Sequence, residues 1–80
     1  MTKEELKSKF VQIGIRADAY SLDGGLWDDR YVLSQEPGDK WAVYYSERGD
    51  RTGYRVFGSE TEACEYLLNK IRNDPLARTK

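Results

Sequence analysis

The chain contains no histidine. That removes the commonest general acid–base group near neutral pH and the commonest metal ligand. It has one cysteine, Cys64, so no internal disulfide can form. This fits a reducing compartment, and the expected location is the cytoplasm. Only two prolines occur. Pro37 sits in a turn signal, and Pro75 follows Asn73-Asp74 at the expected end of a helix. No apolar run approaches the about 20 residues that a bilayer-spanning helix needs. The opening MTKEELKSKF mixes glutamate with lysine and lacks an apolar stretch, so no secretory signal is expected. Excess charge of either sign is also missing, with a formal net charge of -1.

What remains is the composition of an ordinary globular domain in 80 residues. A chain of this size buries only about 60% of the surface its unfolded form exposes, so most of its apolar side chains belong in one core. A single domain over residues 1–75 is expected, with 76–80 as a frayed tail. The charges are unevenly spread. From Ala17 to Glu47 the carboxylates are Asp18, Asp23, Asp28, Asp29, Glu36, Asp39 and Glu47, against Arg30 and Lys40 alone, a net of minus five. A negative middle disfavours phosphate and suits a basic protein partner.

Local chemistry marks the elements. Thr2 and Glu5 form a capping box for a helix over about Lys3 to Ile13. Leu6, Phe10 and Ile13 make its apolar stripe, Val11 widens it, and Gly14 closes it with Ile15 folding back. Ile15 to Asp29 shows no sustained period, and Asp23-Gly24-Gly25 reads as a turn. RYVLSQE (30–36), WAVYYSE (41–47) and TGYRVFG (52–58) read as strands. The turns Pro37-Gly38-Asp39-Lys40 and Arg48-Gly49-Asp50 join them, the second with Gly49 at positive φ. Ser59 and Glu62 form a second capping box, before a helix whose stripe is Ala63, Leu67 and Ile71 with Cys64 and Leu68 beside it. The expected fold is α+β: helix, three-stranded antiparallel meander, helix. It has two layers, with both helices on one sheet face and the other face open to water.

In the central strand Trp41, Val43 and Tyr45 share one face, and Ala42 and Tyr44 the other. If the first set packs on the helices, Tyr44 stands on the open face. There it is either an interface ring or a cover for cross-strand neighbours such as Tyr31 or Tyr54. Trp27 is read in two ways: as an aromatic anchor flanked by Asp23, Asp28 and Asp29, or as a cap on the core edge beside solvated aspartates. Glu47, Arg48, Asp50 and Arg51 form a mixed-charge hairpin tip, either an interface or a solvated turn.

Three classes of function compete. The element order is that of double-stranded RNA-binding domains, which grip phosphate near the start of the last helix. Here Glu60, Glu62 and Glu65 occupy that positive end and repel a polyanion. Arg48, Arg51 and Arg55 make only a small basic cluster, diluted by Glu47 and Asp50. Catalysis lacks its parts: no histidine activates Cys64 or any serine, and Asp28-Asp29 read as solvated surface. No metal and no cofactor is expected. The third class, a module that binds another protein, accounts for the ring-rich, acidic middle.

The segments DAYSLDGG, WAVYYSERG and FGSETEACEYLL, in this order, resemble small immunity proteins of bacterial polymorphic-toxin systems. The likeness covers roughly Ile15 to Leu68. It implies a cytoplasmic, non-enzymatic inhibitor that binds the C-terminal domain of a cognate toxin, and it carries over no binding residue. The residues themselves nominate Asp23, Trp27, Asp28, Asp29, Tyr44, Glu47, Arg48, Asp50 and Arg51 as the contact surface. Neither nucleic acid nor a membrane is an expected partner. The alternative is an adaptor domain of the same fold.

Overall fold

The computed structural model describes residues 1–25, 28–48 and 50–74. Trp27, Gly49 and the tail 76–80 lie outside them, as does Pro75. Helix α1 spans Lys3–Gln12 and opens as its sequence requires. The Thr2 hydroxyl accepts from the Glu5 amide at 3.2 Å, and the Glu5 carboxylate accepts from the Thr2 amide at 2.9 Å. It closes at Gly14, whose φ of 81° is costly for any residue with a Cβ. The Gly14 amide donates to Val11 O and the Ile15 amide to Phe10 O, a paired-carbonyl C-cap that folds Ile15 back into the core. Leu6 and Phe10 are buried, but Val11 is 69% exposed. The apolar stripe is therefore narrower than expected, because at 3.6 residues per turn Val11 lies about 100° from Phe10.

A short 3₁₀ turn, Ala17–Ala19, leads into β1, Tyr20–Ser21. Strands β2 (Arg30–Glu36), β3 (Lys40–Glu47) and β4 (Asp50–Phe57) follow, and then α2 (Glu60–Arg72). The sheet has four strands in the order β1-β2-β3-β4, which corrects the expected three. β1 pairs parallel to β2, with Tyr20 opposite Tyr31 and Ser21 opposite Val32. The Gly24 amide continues along that edge to Leu33 O at 3.0 Å. The segment 15–29 is thus partly sheet rather than loop alone. Two residues are too few to show a period, and a parallel pairing leaves no hairpin signal. The rest is the expected meander, with Leu33 opposite Val43 and Val43 opposite Arg55. Lys40 belongs to β3 rather than to the turn, where Gly38 and Asp39 take positive φ.

Both helices share one core with the Val43 face of the sheet. Leu6 and Phe10 of α1, Ala63, Cys64, Leu67 and Ile71 of α2, and Ile15, Tyr20, Leu33 and Val43 form a single buried cluster. Phe10 and Tyr20 meet at a ring-centroid distance of 4.7 Å. The helix starts are tied together. Ser59 caps α2 by accepting from the Glu62 amide, while the Ser59 hydroxyl, not its amide, meets the Glu62 carboxylate. The capping box is therefore half formed. Glu60 accepts the amide of Lys3, an orphan donor of α1, at 2.8 Å.

The other sheet face is not simply open to water. Val32, Ala42 and Tyr44 form a second buried cluster there. The Gly24-Gly25 turn, with φ of 73° and 98°, reaches it. A Cβ on Gly24 would lie 3.1 Å from Ser34 Oγ, and the Tyr44 hydroxyl donates to Gly25 O at 2.8 Å.

Cys64 is fully buried, and burial pushes its thiol up to about 11. In the folded protein it is a small hydrophobe and not a nucleophile. An aromatic disulfide reagent at pH 8 is expected to leave it unmodified in buffer and to titrate one thiol in denaturant. Rapid reaction in buffer would contradict the packing.

Candidate protein-binding surface

Strand β4 is the outer edge of the sheet, and every residue of it is exposed except Phe57, which is half-buried. Its sequence bends it. Gly53 sits in the strand interior at φ 66°. The register slips there, from Val43 opposite Arg55 to Tyr45 opposite Thr52, so Gly53 and Tyr54 together face Tyr44. This is a β-bulge with glycine in the left-handed position. It turns Tyr54 onto the face away from the helices, where its ring stacks on Tyr44 at 5.6 Å and 18°. The Tyr54 hydroxyl lies 3.5 Å from Glu36 Oε1 on β2, so the ring reaches across β3. Glu36 is held in turn by the Ser34 hydroxyl at 2.6 Å. Arg51 stacks its guanidinium over both rings, 5.1 Å from Tyr44 and 5.9 Å from Tyr54. Tyr44 is 3% exposed. Its ring packs across the strands on Tyr54, which is one of the two roles weighed for it. The exposed ring is Tyr54 at 42%, with Val56 beside it at 52%.

The β3–β4 tip places Glu47 directly opposite Asp50, and Arg48 takes φ 51°. Like charges facing each other across a ladder are unfavourable, by about 0.2–1 kcal/mol where opposite charges would be favourable. Asp50→Lys is therefore expected to raise the urea midpoint slightly. A fall would mean that the two carboxylates do not feel each other.

Asp29, at φ 55°, enters β2 next to this tip. Burial raises the Tyr45 phenol, and the charges of Asp29 and Glu47 raise it further, which puts both near one ring. Among the described residues Asp28, Asp29, Glu47 and Asp50 make no ion pair, and all four are exposed. Asp23 is not one of this group. It pairs with Lys3 on α1 at 3.1 Å, a hydrogen bond that raises the lysine pKa. Asp18 likewise meets Arg16 at 3.6 Å. Of the nominated residues, the structure brings Asp29, Glu47, Arg48, Asp50 and Arg51 to one end of the sheet, with Asp28 adjoining. It sets Asp23 apart and buries Tyr44.

On the helix side, behind the bulge, lies a cavity of about 180 Å³ lined by Tyr31, Tyr45, Thr52, Gly53, Tyr66 and Lys70 among others. Tyr31 and Tyr45 meet edge to face at 4.9 Å. The Tyr31 hydroxyl donates to Asp74 Oδ2 at 3.0 Å. Burial, reinforced by that carboxylate, pushes Tyr31 up to about 12, so it stays a neutral donor. Arg55 and Lys70 sit over the Tyr66 ring at 5.5 and 5.6 Å. The sequence reading missed Tyr54, Val56 and this cavity. The available signal was Gly53 inside a strand pattern, which marks a bulge.

Among the described residues no group of three or more carboxylate or thiol side chains is placed to hold a metal ion, and no helix is long and apolar enough to cross a membrane. No protein-family model, curated protein or solved structure significantly matches the chain.

Proposed function

We propose that this chain is an inhibitor of the immunity type, a non-catalytic cytoplasmic domain that binds the C-terminal domain of a cognate toxin and blocks it by protein–protein contact. The observation that carries the reading is β4, an eight-residue edge strand with exposed side chains and, among the described residues, no strand on its outer side. A bare edge is a template on which another polypeptide can add a strand. Tyr54 and Val56 give that edge an apolar patch, and Asp28, Asp29, Glu47 and Asp50 give its end a negative field that attracts a basic partner. The resemblance to immunity proteins supplies the partner's class. Glu60, Glu62 and Glu65 at the start of α2 speak against a phosphate-rich partner, more so because Glu60 already caps α1.

The test begins with tagged chain expressed in its source cells, purified with whatever it holds, and the partner identified by mass spectrometry. The partner's C-terminal domain is then expressed with and without this chain. Growth arrest relieved by the chain, and lost again with Val56→Lys on the β4 edge, is the expected result. A captured protein that is harmless when expressed alone would redirect the reading to an adaptor domain. Retention of RNA that falls steeply with salt would overturn both.

A further inference from the structure

The cavity behind the bulge has a size, a wall chemistry and a position that together specify what enters it. Its volume is about 180 Å³, and apolar cavities of about 150 Å³ accept a benzene ring. Its walls are rings: Tyr31 and Tyr45 in an edge-to-face pair, and Tyr66 from α2. A further aromatic ring, packed edge or face against these walls, adds to such an arrangement favourably. Lys70 is the charged residue of its lining, and Lys70 and Arg55 already lie over the Tyr66 ring, while the nearby Asp74 carboxylate accepts from the Tyr31 hydroxyl. A lysine or arginine side chain entering against Tyr66 would therefore meet like charge. Its mouth adjoins Thr52 and Gly53 of the edge strand, where glycine leaves the opening unobstructed.

The geometry points to an aromatic side chain of the bound polypeptide as the occupant, an uncharged ring carried on the strand that adds to β4. This rests on the strand-addition reading above and deepens it. Successive side chains of an added strand alternate between the two faces, so one of them is directed behind the sheet toward the cavity. Thr52 is two residues from Asp50, about 7 Å along a strand. The partner's basic residues therefore belong two or three positions from the ring, opposite the carboxylates of the tip, and Lys70 disfavours them inside the cavity. One short segment, aromatic at one position and basic a few residues away, satisfies both halves of the surface.

The test uses the full chain and two small probes, p-cresol as an isolated phenolic side chain and n-butylammonium as an isolated lysine side chain. In a ¹H–¹⁵N titration p-cresol is expected to shift the amides of Tyr45, Thr52, Gly53, Tyr66 and Lys70 with a dissociation constant in the millimolar range, and n-butylammonium to leave them in place. Thr52→Phe, on an exposed strand position, fills the mouth and is expected to weaken p-cresol at least tenfold. Lys70→Trp, approaching from α2, does the same if Thr52→Phe fails to fold. Either blocked variant is then expected to weaken the captured partner at least tenfold, as is alanine replacement of one aromatic residue in the partner. Failure of p-cresol to move these amides overturns the inference while β4 remains a candidate edge. A partner that binds the blocked variants normally also overturns it and leaves the strand-addition reading intact. Failure to capture any partner removes that reading, and this inference with it.

Discussion

Phe10→Ala is expected to cost about 3–5 kcal/mol of folding stability. Phe10 is fully buried and stands where three parts of the fold meet. It lies in the last turn of α1, its ring touches Tyr20 at 4.7 Å, and its carbonyl accepts the Ile15 amide that closes the helix. Tyr20 in turn belongs to β1, the shortest strand. Truncation leaves a cavity that the C-cap and β1 hinder from collapsing. A domain of 80 residues has a total stability of about 4–12 kcal/mol on the usual per-residue scale. The loss is thus a large fraction of the whole, and melting should fall by well over 10 °C. Val11→Ala is the control: one residue along the same helix, 69% exposed, it should change stability by no more than about 0.5 kcal/mol. Urea titrations followed by far-ultraviolet circular dichroism compare the two. Equal effects from Phe10 and Val11 would mean that α1 does not dock as described.

That contrast also separates what the sequence carries from what it does not. Thr2, Glu5, Gly14 and Ser59 act within one helical turn, so their roles are legible from neighbours alone. The β2–β3–β4 meander is legible for a similar reason, because short turns pin the pairing. The alternation of Trp41, Val43 and Tyr45 against Ala42 and Tyr44 also survives into the structure. β1 is different. Two residues carry no period, and their partner, Tyr31–Val32, is reached only after the chain has turned back on itself. Tyr44 shows the same limit. Its face follows from parity, but its burial depends on the Gly24-Gly25 turn returning over that face. Side-chain direction at the candidate site was harder still. Arg51 reads as one charge of a hairpin tip, yet the bulge at Gly53 lets it lie over Tyr44 and Tyr54. Asp23 shares a segment with Asp28 and Asp29, but Lys3, twenty positions away, takes it elsewhere.

The loss of Asp23 and the diversion of Arg51 sharpen the electrostatic expectation. With Arg51 drawn onto the rings, the bases left at this end of the sheet include Arg48 in the β3–β4 turn and Arg30 opposite Ser46, against the carboxylates of Asp28, Asp29, Glu47 and Asp50. Combining Asp28→Lys, Asp29→Asn and Glu47→Lys is expected to slow association with a basic partner by about tenfold or more. Asparagine is chosen at position 29 because it tolerates the positive φ found there. The acids are exposed, so their influence on encounter is long-ranged and screened over about 10 Å at 0.1 M salt. The wild-type on-rate should therefore fall steeply as salt rises, and the variant's should stay nearly flat. Dissociation should change far less, since rim charges set encounter while desolvated contacts set residence. Val56→Lys makes the complementary case: placed on the β4 edge, it should speed dissociation and leave the salt slope of association nearly intact. Stopped-flow traces at several salt concentrations distinguish them. If the triple variant associates at the wild-type rate at low salt, the carboxylates at the β3–β4 end do no steering, and contact must be made elsewhere on the domain.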